Sequence, residues 1–208
     1  MKRVLASFLV ALTVGGVQAS PTSLYLMPIA DILAHREGFA YVGLQGNERN
    51  VDKSYAKFNA LTVGLFDRAE IGVDNDFLGH TTFNVKVQIW DNVKGLANSA
   101  LSVGLANCDG RRSDPYIVGR YDFHDFRLHA GLWRTMDTTR AMFGTDFNVF
   151  GGTGSIEFLS GPSSQTWFGY YFDIKQVEGL GIMLSVGVPS DHSQGLQHAA
   201  VLNYGFKF

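Results

Sequence analysis

From residue 38 to residue 207, apolar and polar side chains trade places at every second position in one segment after another. In TFNVKVQIW (82–90), Phe83, Val85, Val87 and Ile89 fall on one side, and Asn84, Lys86 and Gln88 on the other. Ala69, Ile71 and Val73 oppose Glu70, Gly72 and Asp74 in the same way, and Phe126, Leu128, Ala130 and Leu132 oppose Arg127, His129 and Gly131. In LGIMLSVGV (180–188), Leu180, Ile182, Leu184, Val186 and Val188 oppose Gly181, Met183, Ser185 and Gly187. Successive side chains of a strand point to opposite faces, so a period of two is the mark of half-buried strands. The longest uncharged stretches after the first twenty residues, 95–108 and 158–172, are rich in Gly and Ser. They fall short of the roughly 18 apolar residues that a spanning helix needs.

Alternation by itself suits a secreted sandwich as well as a barrel. Two features favour the barrel. The polar face is built of small residues with isolated charges, as in Ala60, Thr62 and Gly64 or Ser102, Gly104 and Ala106, which suits a crowded concave interior. Aromatic residues gather near segment ends, at Phe66, Trp90, Tyr121, Phe123, Trp133, Trp167, Phe206 and Phe208, where interfacial girdles belong. The strands are expected at 38–46, 57–66, 68–75, 82–90, 98–106, 115–122, 126–134, 140–148, 153–160, 165–173, 180–188 and 198–207. The expected fold is therefore all-β, a closed antiparallel transmembrane β-barrel of about twelve strands, with ten to fourteen as the range. Polar connections at 45–56, 107–115 and 189–197 alternate with tight turns at 67–68, 122–125 and 151–153. Long loops outside and short turns inside are the asymmetry of such barrels, and DNVKGLAN (91–98) is the exception.

The amino terminus supplies a compartment. Met1, Lys2 and Arg3, the apolar run Val4 to Val14 and the small-residue site VQA before Ser20 read as a secretory signal peptide over 1–19. Loss of Lys2 and Arg3 takes the formal net charge from −2 to about −4, a mild balance that argues against a nucleic-acid partner. Cys108 is the single cysteine, so no intrachain disulfide can form, and it reads as a lone loop thiol. Residues 20–37 show no strand period and read as an amino-terminal periplasmic or plug segment ahead of the barrel, 38–208, with a short helix as one reading of DILAHRE (31–37). As a plug, the segment would gate the pore.

The chain stops on VLNYGFKF, in which Leu202, Tyr204, Phe206 and Phe208 alternate with polar or small residues to the last position. A final Phe with Tyr204 and Phe206 at alternate positions resembles the carboxy-terminal insertion signal of Gram-negative outer-membrane β-barrel proteins. That resemblance implies a cell outer membrane location, reached through the periplasm, with the last strand read by the barrel-assembly machinery and closed against the first. Closure also has a physical cause, because hydrocarbon offers no partner to an open strand edge.

With those faces, the proposed lumen-lining residues are Glu70, Asp74, Lys86, Arg120, Arg127, His129, Asp146, Glu157, Asp173 and Lys207. They fit a network of ion pairs that fills the lumen and fixes register, or a narrow polar pore whose charges set ion preference. The expected function is a small passive channel, porin-like in transport, or a structural barrel with a charge-paired polar lumen. Its partners are outer-membrane lipids and small solutes or ions. The alternatives are an accessory barrel for envelope polysaccharide or lipid export and, lower, a lipid-modifying hydrolase. The last rests on Asp191, His192 and Ser193, which faintly resemble the motifs of outer-membrane phospholipases and lipid A deacylases. They lack the Asn and the His-to-Ser spacing, and adjacent strand residues point apart. No catalytic residue, cofactor or metal is expected: His35 lies four residues after Asp31 and His124 adjoins Asp125, but a site needs three or four ligands.

Overall fold

The computed structural model describes residues 23–48, 55–92, 97–135 and 138–208. The signal peptide expected over 1–19 lies outside them. Twelve antiparallel strands form one closed ring: β1 (Glu37–Asn47), β2 (Ala56–Leu65), β3 (Ala69–Asn75), β4 (Thr81–Asp91), β5 (Ser99–Cys108), β6 (Asp114–Asp122), β7 (Phe126–Thr135), β8 (Thr138–Val149), β9 (Gly152–Leu159), β10 (Gln165–Asp173), β11 (Leu180–Pro189) and β12 (Gln197–Lys207). Each strand pairs with its neighbours in sequence. β12 closes on β1 in unbroken register from Glu37 opposite Lys207 to Asn47 opposite Gln197. The strand count and the strand positions read from the alternation agree with the ring within about two residues.

The two faces follow from the period. Leu61, Ile71, Phe83, Val87, Leu128, Leu132, Phe143, Phe168, Leu184 and Leu202 are exposed on the outside, an apolar jacket that water would not tolerate on this scale. Their alternates, among them Thr62, Glu70, Asn84, Lys86, Ser102, His129 and Asn203, are buried. The β4–β5 pair shifts register between Phe83 and Val85 and again between Gln88 and Trp90, which brings Asp91 within reach of Arg120.

Turns separate the ends of the barrel. At the end where β1 begins and β12 ends, the terminal rim, Phe66 and Asp67 both take positive φ, as do Phe150 and Gly151, the conformation that lets a tight turn match the twist of its strands. Phe66, Tyr121, Phe123, Phe150 and Phe208 are exposed at this rim. Tyr204 stacks on Phe206 at a centroid distance of 6.0 Å, and Phe206 adjoins Phe208 at 6.2 Å. Two expected girdle residues are corrected. Trp133 is 1% exposed and Trp167 is 0% exposed, because each shares the inward parity of its strand, with Arg127 and His129 on β7 and with Gly169 on β10.

Candidate functional site

Residues 23–36 stay out of the ring, apart from an isolated bridge between Ser23 and Pro28, and none of them is helical. The helix considered for 31–37 is thus corrected: wall side chains take the backbone groups that a helix would have used internally. At the terminal rim, Arg36 N donates to Gly64 O at 3.2 Å and His35 N to Asp67 at 2.7 Å. Deeper, Leu33 N donates to Glu70 at 3.1 Å, Ser102 Oγ and Gln88 donate to Ala30 O at 2.6 and 3.0 Å, and Lys86 Nζ donates to Ile29 O at 3.2 Å. At its far end Tyr25 donates its hydroxyl to Gln45 at 2.6 Å, and Gln45 donates to Gln197 near the opposite rim.

This segment makes the apolar core. Leu24, Met27, Ile29 and Ala30 cluster with Ala100, Tyr116, Val118, Trp133, Met142 and Leu159 from the wall. Two glycines open the seat. A Cβ at Gly64 would lie 2.1 Å from Ala34 O, and one at Gly144 would lie 2.8 Å from Met27 Sδ, distances no side chain can keep.

The wall charges meet the segment in three places. Glu70 and Lys86, directly opposite on β3 and β4, pair at 2.8 Å with both side chains fully buried. Asp31 is held between two arginines, with Arg120 on one oxygen and Arg127 Nη1 on the other at 2.9 Å. Arg127 also grips its cross-strand neighbour Asp146, through Nε at 2.9 Å and through Nη2, while His129 Nε2 stands 3.4 Å from the same carboxylate. Arg120 lies 3.4 Å from Asp91, and its Nε stands 2.8 Å from Asp122 but out of line for a hydrogen bond. Glu157, 1% exposed, accepts three consecutive backbone N–H groups of the segment, from Tyr25 and Leu26 at 2.7 Å and from Met27 at 3.0 Å.

The remaining predicted residues sit elsewhere. Asp74 accepts a hydrogen bond from Asn84, whose carbonyl accepts Asn107 N at 3.0 Å, and Asn107 donates to Asp114 at 2.8 Å. That buried ladder lies toward the loop end. Asp173 and Lys207 keep inward parity but stand exposed at the terminal rim, where Asp173 accepts the Tyr171 hydroxyl at 2.6 Å and Lys207 meets Glu37 at 3.2 Å. Asp191 caps a single 3-10 turn over His192–Gln194 by accepting Ser193 N at 2.9 Å. His124 and Asp125 form an exposed pair on their turn. In the β3–β4 loop burial would raise the Asp76 carboxyl, but it is held below the usual carboxylate range by the N–H groups of Leu78 and His80 and by the His80 ring.

Beside the segment a cavity of about 240 Å³ remains, lined by Phe39, Tyr41, Phe58, Met183, Val201 and Asn203 among others. From sequence, Asp31 is weighed only as a partner of His35 and is left out of the lumen charges, and the backbone donors of residues 25–27 are not included. Tyr25 and Glu157 are 132 residues apart, and no local period can report such a contact.

No family model matches the sequence, and no curated protein matches it. Among solved structures, OprB of Pseudomonas putida in its low-pH form is similar at 10% identity and a TM-score of 0.38, over 80% of this chain and 62% of that one. The outer membrane protein OpdK of Pseudomonas aeruginosa is similar at 8% identity and a TM-score of 0.36, over 79% of this chain and 61% of that one. The chain thus spans less than two thirds of the length of either.

Proposed function

We propose that this outer-membrane β-barrel is a narrow channel that its own amino-terminal segment holds closed. In an apolar-jacketed closed ring, the lumen is the part free to do chemistry. The observation that carries the reading is at Glu157, whose carboxylate accepts three consecutive backbone N–H groups of residues 25–27. Withdrawal of the segment leaves a polar, charged passage in place of an apolar plug, with the existing cavity as its starting width. The signal peptide would deliver the chain to the periplasm, and Tyr204, Phe206 and Phe208 would serve assembly into the membrane.

A filled structural barrel is the second reading, favoured by the complete burial of Glu70 and Lys86 against the segment. Planar-bilayer recording of residues 20–208 beside a variant lacking 20–33 separates the two. A channel gives rare, brief openings from the first and steady discrete steps from the second. Silence from both, with folding and insertion verified, leaves the structural barrel.

A further inference from the structure

We propose that Glu157 and Trp167 form a binding site for a small organic ammonium ion, a site that residues 25–27 occupy while the barrel is closed. The two are direct cross-strand neighbours on β9 and β10, and both are buried, at 1% and 0% exposure. Three N–H donors converge on the carboxylate, and that is the number an ammonium head offers. The Tyr25 ring covers the indole at a centroid distance of 4.4 Å. One stretch of backbone thus supplies what an ammonium carrying a ring or short apolar body would supply: donors for the carboxylate and a surface for the indole. Indole is the strongest of the side-chain faces for a cation.

The arginines point the same way by contrast. When Asp31 leaves, Arg127 keeps Asp146, and Arg120 keeps Asp91 and Asp122 nearby, so no vacant anion site opens. Among the described residues no basic side chain stands at ion-pair distance from Glu157, so loss of the three donors leaves a carboxylate open to a cation. Tyr25 also borders the 240 Å³ cavity, and its withdrawal merges that space with the site.

The inference rests on the channel reading for transport, but the binding step does not need a conducting pore. Titration calorimetry of the detergent-solubilised chain, residues 20–208, with benzylammonium as the probe tests it. Leu26→Pro removes one of the three donors, so the segment competes less well, and binding should tighten about tenfold over the parent chain. Adding Glu157→Gln should abolish it, and adding Trp167→Leu should weaken it about tenfold. Benzyl alcohol and benzoate should not bind. Equal binding with and without Glu157→Gln, or benzoate binding as tightly as benzylammonium, overturns the site. Should Leu26→Pro not fold, Gly64→Val, which pushes the segment off at the rim, takes its place with the same expectations. Binding through Glu157 in a barrel that never conducts would overturn the channel and leave the site. Conductance without binding would do the reverse.

Discussion

The lumen has two unlike walls. The inward residues of β3, β4 and β6 to β9 carry Glu70, Asp74, Lys86, Arg120, Arg127, Asp146 and Glu157, and most of these charges face the amino-terminal segment. The inward residues of β10 to β12, β1 and β2 are aromatic, aliphatic, small or neutral polar up to the rim, as with Tyr171, Met183, Ser185, Asn203, Tyr41 and Phe58. The cavity lies between the two, bordered mostly by this second wall but also by Arg127 and Asp146 of the first. Buried charge is costly without partners, so it is gathered where an extra stretch of backbone answers it. Where nothing answers, the wall is neutral, and Ser185 and Asn203 each keep a buried oxygen without a hydrogen-bond partner.

Substitutions can break this contrast. The largest effect is expected at Glu70→Gln, which takes the carboxylate charge from a fully buried Lys86 and should cost about 3 kcal/mol or more, read as the shift in a urea unfolding midpoint in micelles. An equal cost for Ser185→Ala on the neutral wall would erase the distinction. Its Oγ bonds nothing, and about 0.5 kcal/mol or less is expected there.

Next comes Gly64→Val. Its side chain must displace the Leu33–Ala34 backbone, so limited proteolysis within residues 23–35 should speed up while the strands stay resistant. Unchanged cleavage would mean the segment is not seated through this contact. Met183→Phe, which grows into the cavity, should shift stability by no more than about 1 kcal/mol in either direction and should leave that cleavage rate alone.

The smallest effect lies outside both walls and serves as their control. Because Asp76 is held below its ordinary value, its contribution is present above the unfolded carboxylate pKa of about 3.9 and is lost as pH falls through the lower folded value. The amide resonances of Leu78 and His80 should therefore hold steady from neutral pH down to about pH 4 and shift only below it. A midpoint above about pH 4 would contradict the lowered value at Asp76.

The wall was legible because a period of two repeats within every strand and needs no distant partner. Thus Glu70 against Lys86 could be assigned to one face from sequence, as could Arg127 with His129. Depth was not legible: Asp173 and Lys207 have the right parity, yet their height along the strand leaves them in solvent. Trp133 and Trp167 looked interfacial because they lie near strand ends, but parity and the space around Met27 and Tyr25 draw them inward. The segment itself carries no period at all, and Asp31 meets its arginines across 89 and 96 residues of chain. Only tertiary packing shows which carboxylate answers which donor.

If the segment's place in the lumen is what closes the barrel, a cross-link between segment and wall should lock it shut. Met27→Cys with Gly144→Cys, in a Cys108→Ser background, sets one sulfur on the segment and one on the wall it touches. Single-channel current would be recorded before and after reduction, with the cross-link verified by mass spectrometry. The oxidised barrel should be silent and should open in discrete steps once reduced. Identical current in the two states would contradict it.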